Sequence, residues 1–258
     1  METELKNIIE RMKKQREAFE TFCASQPQSV TCLTHGAVLA ICPERTVMDS
    51  SGVFSCVAYE ACPQCRQDAQ ETASREKLRA SGVATKMLDC TLDNWIPRNP
   101  EEAVILAKAR AFAEKRIGFL FLRGPVGTGK SHLAVAIMRT FRSGLFVTQS
   151  DLLLWKRASY DKLRRDPIDQ CRDVGCLVLD EVGLSGGGKD EGQLIYDILD
   201  YREREKKATV ITTNLTVEEM RITFGERLSD RLTESAFGVY ELSGESHRRE
   251  MRGKYFGN

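Results

Sequence analysis

The sequence predicts an α/β protein whose parallel β-sheet is buried on both faces. Two observations carry this prediction. From about residue 101, short apolar runs alternate with stretches of helical periodicity, and a glycine-rich loop with a further helical stretch follows the first run. Helices cover both faces of a parallel sheet, so its strands are near-continuous apolar runs. The five runs are Phe119–Leu122, Leu145–Val147, Cys176–Leu179, Thr209–Ile211 and Val239–Leu242.

The composition is that of an ordinary folded protein. Of 258 residues, 41% are hydrophobic and 29% are charged, which excludes collagen-like and wholly disordered chains. The 38 Lys and Arg residues nearly balance the 37 Asp and Glu residues, so the net charge is +1. Because the chain is not basic as a whole, any nucleic-acid binding must come from a local patch.

The chain shows no sign of a secretory or membrane destination. No apolar run approaches the roughly 20 residues that span a bilayer. The start, Met1–Lys6, is charged and lacks the apolar segment of a secretory signal. We therefore expect a cytoplasmic protein without a membrane partner. Seven of the nine cysteines precede residue 91, and in a reducing compartment such clustering indicates a metal site before disulfides.

The glycine-rich loop is a complete phosphate-binding motif, G-x-x-x-x-G-K-[ST]. Its glycines let the backbone curl so that several N–H groups point at one phosphate, and the start of the following helix adds partial positive charge. Lys130 is expected to reach the β- and γ-phosphates, and the Ser131 hydroxyl to ligate Mg²⁺. A chance glycine turn would lack the flanking strand and the amphipathic helix His132–Met138. The predicted nucleotide-binding residues are Gly124, Pro125, Val126, Gly127, Thr128, Gly129, Lys130, Ser131 and His132.

Two later apolar runs end in polar side chains suited to nucleotide hydrolysis. Asp180 and Glu181 follow one of them. With a phosphate loop in the same chain, Asp180 is expected beside the Mg²⁺ shell and Glu181 is placed to polarise the attacking water; alone, such a pair marks only a strand entering solvent. Asn214 either holds the water or senses the γ-phosphate, or else it starts a turn or caps the helix at Val217. No Asn-Lys-x-Asp guanine motif follows, so ATP is favoured over GTP.

A structural zinc site is predicted in the N-terminal region. Two ligand pairs, each with two intervening residues, are separated by 26 residues. Four thiolate and imidazole ligands close a tetrahedral shell and leave no open position for catalysis. The metal would hold together residues 25–66, which are too poor in apolar residues for a core of their own. Cys42 and Cys56 are rival ligands, and chance proximity of reduced side chains is the alternative. The predicted ligands are Cys32, His35, Cys62 and Cys65.

Apolar residues at helical spacing lie ahead of the zinc ligands. Such a stripe either packs on the zinc module or docks a partner protein. Its members are Leu5, Ile8, Ile9, Met12, Phe19 and Phe22.

Together these motifs resemble those of AAA+ ATPases, in the group formed by the DnaC/DnaI helicase loaders and the IstB transposition helpers. The resemblance covers roughly residues 80–258, and more loosely the N-terminal region, where Cys62-Pro-x-Cys65 is similar to zinc modules of DnaI-like loaders. It implies an AAA+ P-loop domain with a five-stranded parallel sheet, preceded by a small zinc-binding domain and lacking a C-terminal lid domain. The matching stretches are Gly124–Ala136, Val174–Leu184, Thr212–Thr216 and Gly225–Leu232.

The same resemblance implies roles for arginines near the C-terminal end. The arginine that matches Arg231 is the finger that reaches the nucleotide of a neighbouring subunit, and Arg227 lies one helical turn earlier on the same face. The alternative for both is a solvated helix with salt bridges. The second sensor arginine of the family falls near Arg248 and Arg249, of which Arg248 is favoured.

A basic stretch follows the second predicted strand of the sheet. In the DnaA/DnaC branch, which this chain resembles, an extra helix at this place lines a central channel and contacts single-stranded DNA. Basic side chains for the backbone and an aromatic ring for stacking suit that ligand. The alternative is an amphipathic helix with Leu153, Leu154 and Trp155 in the core. The aromatic residues of the stretch are Trp155 and Tyr160, and the predicted DNA-binding residues are Lys156, Arg157, Lys162, Arg164 and Arg165.

The sequence therefore predicts residues 1–78 as an N-terminal helix and zinc-binding module, 79–100 as a linker, and 101–258 as the AAA+ ATPase domain. The resemblance implies an ATPase that self-associates through Arg231, binds a hexameric replicative helicase with its N-terminal domain and places it on single-stranded DNA. The expected cofactors are ATP, Mg²⁺ and Zn²⁺. A transposition helper that binds DNA and recruits a transposase is the alternative, although the zinc module weighs against it. A small-molecule kinase would need neither the acidic pair nor an arginine acting on a neighbour.

Overall fold

The chain folds into two compact units, Met1–Ala73 and Ser74–Asn258, in the computed structural model. The structure describes residues 2–48, 54–159, 167–183, 189–226, 230, 234 and 236–244. The division between the units falls within one helix, Pro63–Ala80. Within the described residues, none of the helices has the length and apolar character that crossing a bilayer requires.

The first unit contains a small antiparallel sheet, within the segment that is too poor in apolar residues for a core of its own. The strands lie in the order β1-β2-β3. In α1, Phe19 and Phe22 are half-buried, whereas Met12 is 64% exposed. The last turns of the stripe therefore pack, and docking of a partner by the rest of the stripe stays a prediction. The elements are α1 Glu2–Ser25, β1 Ser29–Thr31, β2 Val38–Met48, β3 Phe54–Tyr59 and α2 Pro63–Ala80, whose last residues belong to the second unit.

The second unit contains the predicted five-stranded parallel sheet. Its strands lie in the order β5-β6-β7-β4-β8, and each neighbouring pair is parallel. Four strands cover the predicted apolar runs in full, and β8 covers the fifth run except for its last residue, Leu242. The expected fold class is therefore confirmed. The strands are β4 Phe119–Arg123, β5 Gly144–Thr148, β6 Cys176–Val182, β7 Ala208–Thr213 and β8 Ala236–Glu241.

Helices cover the sheet on both faces. In β4, Phe119 and Phe121 belong to one buried cluster, while Leu120 and Leu122 belong to the other, because successive side chains of a strand point to opposite faces. The predicted amphipathic helix after the phosphate loop is buried almost all round, from Leu133 to Met138. The helices are α3 Pro100–Lys115, α4 Lys130–Arg139, α5 Gln149–Ser159, α6 Pro167–Asp173, α7 Lys189–Arg204 and α8 Val217–Phe224, with a 3₁₀ turn at Thr85–Met87.

The segment predicted as a linker, residues 79–100, is part of the second unit instead. Val83, Leu88 and Trp95 are nearly inaccessible to solvent and join the core cluster that contains α3 and α4. The prediction is wrong here because these apolar residues have neither helical nor strand spacing. The segment ends at a clear helix start, where the Asn99 side chain accepts a hydrogen bond of 2.8 Å from the backbone N–H of Glu102.

Candidate functional site

The order of the strands brings the predicted catalytic motifs to one edge of the sheet. Strand β7 lies between β4 and β6, so the carboxyl ends of all three are adjacent. The phosphate loop, Gly124–Ser131, follows β4; Asp180 and Glu181 lie at the end of β6; Asn214 follows β7. Ligands of open parallel sheets bind outside the carboxyl ends of the strands.

The phosphate loop surrounds the ammonium group of Lys130. Its Nζ donates hydrogen bonds to the carbonyl oxygens of Gly124 at 2.6 Å and Pro125 at 2.7 Å, and the side chain is 8% exposed. Gly129 caps the following helix with a φ of 96°, a conformation that disfavours any side chain. A Cβ at Gly129 would also lie 2.9 Å from Nε1 of Trp95. The loop thus holds a lysine and the N-terminus of α4 at one point, as phosphate binding requires.

The two residues of the acidic pair differ in exposure: Asp180 is buried and Glu181 faces solvent. Asp180 is 4% exposed, and its two carboxylate oxygens accept hydrogen bonds from the Ser131 hydroxyl at 2.9 and 3.0 Å. Glu181 is exposed and has a φ of 57°, in the left-handed region. The oxygens of Ser131 and Asp180 are the donors that Mg²⁺ prefers, and they converge beside the phosphate loop. The side chains present therefore fit a magnesium ion bound with a nucleotide.

Asn214 directly follows β7 and is exposed. It is not the cap of the next helix, because Thr216 has that place: the Thr216 hydroxyl accepts a hydrogen bond from the Glu219 N–H, and the Glu219 carboxylate accepts one from the Thr216 N–H. The capping alternative for Asn214 is therefore wrong. Its role toward water or phosphate stays a prediction.

A cleft of about 620 Å³ opens beside the phosphate loop. This size is typical of sites for small ligands. One wall comes from the segment before α3, which the sequence analysis did not include in the site. The wall is largely apolar, and its Asn94 contacts His132 of α4 across the cleft lining, with 2.9 Å between Oδ1 and Nε2. The cleft can thus take a nucleoside next to the phosphates. Its lining is Lys86, Met87, Cys90, Asn94, Trp95, Ile96, Gly127, Gly129, Lys130, Ser131 and His132.

Arginines from two helices hold this wall of the cleft. Arg139, at the end of α4, donates to the Leu88 carbonyl at 2.6 Å. Arg110 of α3 donates to the Leu92 carbonyl at 3.0 Å and to the Asp93 carboxylate at 2.8 Å. Sequence reasoning missed the cleft because these contacts join positions far apart in the chain. The signal it offered was the composition: Trp and Cys, residue types that are usually buried, in a segment without periodicity.

The four predicted zinc ligands meet in the first unit. Their ligand atoms all lie within 4.8 Å of one another. Sγ of Cys32 lies 3.6 Å from Sγ of Cys65, and Nδ1 of His35 lies 3.3 Å from Sγ of Cys65 and 3.8 Å from Sγ of Cys62. Zn–S bonds of about 2.3 Å in a tetrahedron place sulfur atoms about 3.8 Å apart, so the donors fit zinc. Cys42 is not one of the group, and the side chain of Cys56 lies outside the described residues.

Local contacts shift the pKa values of two of these thiols in opposite directions and orient the histidine ring. The backbone N–H groups of His35 and Thr34 lower the pKa of Cys32 to about 6, while the hydrogen bond with Cys32 raises the pKa of Cys65 to about 11. Nε2 of His35 lies 3.1 Å from a carboxylate oxygen of Asp68, which orients Nδ1 toward the thiols. A metal held here would serve structure, because all four positions of a tetrahedral shell are taken by the protein.

We expect the purified protein to contain about one equivalent of zinc. Cys62→Ser should lose most of it, because a hydroxyl is a poor ligand for zinc in place of a thiolate, and a chelator should unfold the first unit. Cys42→Ser is the matched control and should keep its zinc, since Cys42 lies outside the cluster. Elemental analysis measures both variants. Equal zinc in Cys62→Ser and the unchanged chain would contradict the ligand assignment.

The structure describes only part of the predicted DNA-binding stretch. Helix α5 contains Lys156 and Arg157, of which Lys156 is half-buried. Leu152 is fully buried and Trp155 packs partly on the core, as the core alternative expects for Trp155, whereas Leu154 is 62% exposed. The other predicted residues lie outside the described residues, and so do all the arginines implied near the C-terminal end. They are Tyr160, Lys162, Arg164, Arg165, Arg227, Arg231, Arg248 and Arg249.

The sequence of this chain is similar to those of two proteins of Escherichia coli K12. YdaV of Escherichia coli K12 is 29% identical over 197 residues, which is 72% of this chain and 79% of YdaV. The replicative helicase loader DnaC of the same organism is 30% identical over 189 residues, which is 68% of this chain and 76% of DnaC.

Two solved structures support the fold alone. The crystal structure of the DnaC helicase loader superposes with a TM-score of 0.56 at 24% identity, covering 62% of this chain and all of that one (100%). The crystal structure of DnaI gives a TM-score of 0.54 at 20% identity, covering 64% of this chain and 94% of that one. The sequence profile of the IstB-like ATP binding proteins matches residues 100–254, which include the phosphate loop, the acidic pair and Asn214. The chain therefore belongs to the family of IstB-like ATP binding proteins, on an AAA+ P-loop fold.

Proposed function

We propose that this protein is an ATPase that loads a hexameric replicative helicase onto single-stranded DNA. The observation that carries the proposal is the 30% identity to the replicative helicase loader DnaC over two thirds of both chains. The geometry of the site supports it, because a phosphate loop, an acidic pair and an asparagine lie at three adjoining strand ends.

In the proposed reaction, ATP is hydrolysed to ADP and phosphate. The phosphate loop and Lys130 hold the phosphates. Ser131 and Asp180 would hold Mg²⁺, which would supply positive charge for the phosphate oxygens. Glu181 accepts a hydrogen bond from the attacking water and so polarises it. Asn214 orients the water or senses the γ-phosphate. The wall around Trp95 and Met87 receives the base.

The first unit is proposed to contact the helicase, and its Cys/His cluster to hold that unit in shape. The basic residues in and after α5 are proposed to contact the DNA backbone: Lys156, Arg157, Lys162, Arg164 and Arg165. Self-association through Arg231 would place these residues of several subunits around one strand.

The test uses purified replicative helicase and a circular single strand coated with single-strand binding protein. We expect strand unwinding to require both this protein and ATP, and we expect the Lys130→Ala variant not to support unwinding.

A second candidate function, that of a transposition helper, is favoured by the name of the matched family. A chain that loads no helicase, but binds a transposase and duplex DNA in the presence of ATP, would replace the first proposal with the second.

Binding to single-stranded DNA should weaken when Lys156 and Arg157 are both replaced by alanine. The slope of log K against log salt is negative, and each lost phosphate contact makes it less steep by about 0.7. Two lost contacts should therefore make it less steep by about 1.4. Lys13 and Lys14 of α1, replaced together, are the charge-matched control and should leave the slope unchanged. Fluorescence anisotropy with a labelled oligonucleotide at several salt concentrations measures it. An unchanged slope in the Lys156/Arg157 variant would remove these residues from the interface.

A further inference from the structure

The backbone that carries Glu181 is not held by the sheet ladder. Strand β6 pairs with β7 in register up to Leu179, but the register shifts before the next pair, Val182 with Thr213. Glu181 lies in this interval with a φ of 57°. An N–H or carbonyl group that leaves the ladder inside a protein needs another partner.

Three buried side chains, Gln149, Thr212 and Thr213, provide these partners, and we call them the polar clamp. The Thr212 hydroxyl accepts from the Glu181 N–H at 3.0 Å. The Thr213 hydroxyl donates to the Val182 carbonyl at 2.7 Å. The Gln149 Oε1 accepts from the Gly183 N–H at 2.7 Å. The clamp residues are 4%, 1% and 1% exposed in the order named above, so water does not compete for these bonds.

The Thr212 hydroxyl serves both acidic residues at once. A hydroxyl has one proton to donate, and that of Thr212 goes to Oδ1 of Asp180, while a lone pair accepts the Glu181 N–H. The Asp180 carboxylate also accepts from Ser131. One hydroxyl thus sets the position of the proposed Mg²⁺ ligand and the backbone direction of the proposed water-polarising group.

Gln149 fixes the other end of the same turn. Gly183 has a φ of 92°, and a Cβ there would lie 2.4 Å from a methyl carbon of Leu215, so the turn has little room to move on that side. Gln149 is the first residue of α5. Its amide therefore ties the turn after Glu181 to the start of the helix that carries Lys156.

We propose that Thr212 and Gln149 are positioning residues for ATP hydrolysis, which align Asp180 and Glu181 without touching the nucleotide. This inference rests on the proposed ATPase function. Thr212 lies in a stretch that resembles the family and Gln149 does not, and the sequence assigns neither residue a role. Thr212 acts on the Asp180 carboxylate and the Glu181 N–H, and Gln149 acts on the Gly183 N–H. The structure assigns them by their hydrogen bonds.

Thr212→Val tests the proposal, because it replaces the hydroxyl by a methyl group of similar size. Misplacement of a reacting group by about 1 Å costs up to about 100-fold in rate, so we expect kcat to fall by about 10- to 100-fold. The KM for ATP should change by less than about threefold, since the phosphate loop is untouched. The Mg²⁺ concentration that gives half-maximal binding of a fluorescent ATP analogue should rise. Thr212→Ser keeps the hydroxyl and should restore both quantities.

Gln149→Met is the second variant, and it keeps the proposal testable if Thr212→Val folds poorly. It removes the acceptor at nearly constant volume and should lower kcat while leaving the Mg²⁺ dependence of binding unchanged, because the Gln149 Oε1 accepts from the Gly183 N–H, beyond Glu181, and not from a proposed Mg²⁺ ligand. Melting curves of all variants show which of them are folded.

The outcomes separate this inference from the function on which it rests. Wild-type kcat and Mg²⁺ dependence in a folded Thr212→Val chain, or equal losses in Thr212→Val and Thr212→Ser, would overturn the inference alone. Wild-type kcat in Gln149→Met would remove Gln149 from it. A wild-type chain that binds ATP but never hydrolyses it would overturn the proposed function, and the Mg²⁺ dependence of binding would then decide whether Thr212 positions Asp180.

Discussion

Glu181→Gln should bind ATP as the unchanged chain does and lose at least about 100-fold in turnover. A positioned general base contributes roughly 10²–10⁴ to a rate, and the amide of glutamine keeps the shape of the side chain but cannot take up a proton. Because Glu181 is exposed, the substitution should not disturb folding. Phosphate release under assembling conditions and binding of a fluorescent ATP analogue measure the two quantities. Equal turnover in the variant and the unchanged chain would contradict the assignment of Glu181.

Lys130→Ala, in contrast to Glu181→Gln, should weaken the binding of ATP itself. The ammonium of Lys130 is the positive charge that the loop carbonyls of Gly124 and Pro125 hold in place. Without it the loop keeps its N–H groups but loses the charge that faces the phosphates, so affinity should fall at least about tenfold. Glu218→Gln, an exposed carboxylate in the first turn of α8, is the control for both variants and should change neither quantity.

The phosphate loop and the acidic pair could be predicted from the sequence because each is a contiguous motif next to an apolar strand. Parallel strands bring their carboxyl ends to one edge, so motifs that follow two strands meet there once the sheet forms. The spacing of the motifs in the sequence did not reveal the order of the strands in the sheet. That order decides that Thr212, on the strand between the phosphate loop and the acidic pair, contacts Asp180.

The cleft wall around Trp95 could not be predicted, because no period marks it. Val83, Leu88 and Trp95 are buried at irregular spacing and held by contacts to helices that follow later in the chain. The segment therefore resembles a linker in its sequence. Its structure depends on tertiary contacts, which local patterns do not encode.

The clustering of Cys32, His35, Cys62 and Cys65 could be predicted, since metal coordination imposes a spacing on candidate ligands. The small sheet between them could not, because its strands carry Cys, Pro and charged residues where alternation would be expected. The turn after β1 holds Cys32 and His35, and the start of α2 holds Cys65. A metal bound by these residues would supply the stability that a core provides elsewhere.

Many ATPases place an arginine near the γ-phosphate, and the described residues that line the cleft do not include one. Among the described residues that line the cleft, the basic side chains are Lys86, Lys130 and His132. A finger arginine stabilises the transition-state charge and contributes about 10³–10⁵ to turnover. The resemblance of Gly225–Leu232 to the corresponding stretch of AAA+ ATPases proposes Arg231 for this role, on the nucleotide of the neighbouring subunit.

Arg231→Ala should therefore bind ATP normally and lose about 10³-fold or more in turnover. Since the finger acts on a neighbour, turnover per chain of the unchanged protein should rise with protein concentration, and rise further when single-stranded DNA gathers the subunits. Inactive Arg231→Ala chains mixed with inactive Lys130→Ala chains should regain part of the activity, because an intact phosphate site on one chain then meets an intact finger on the other. Wild-type turnover in Arg231→Ala would contradict the assignment, and Arg227, one helical turn earlier, would be tested next by the same mixing experiment.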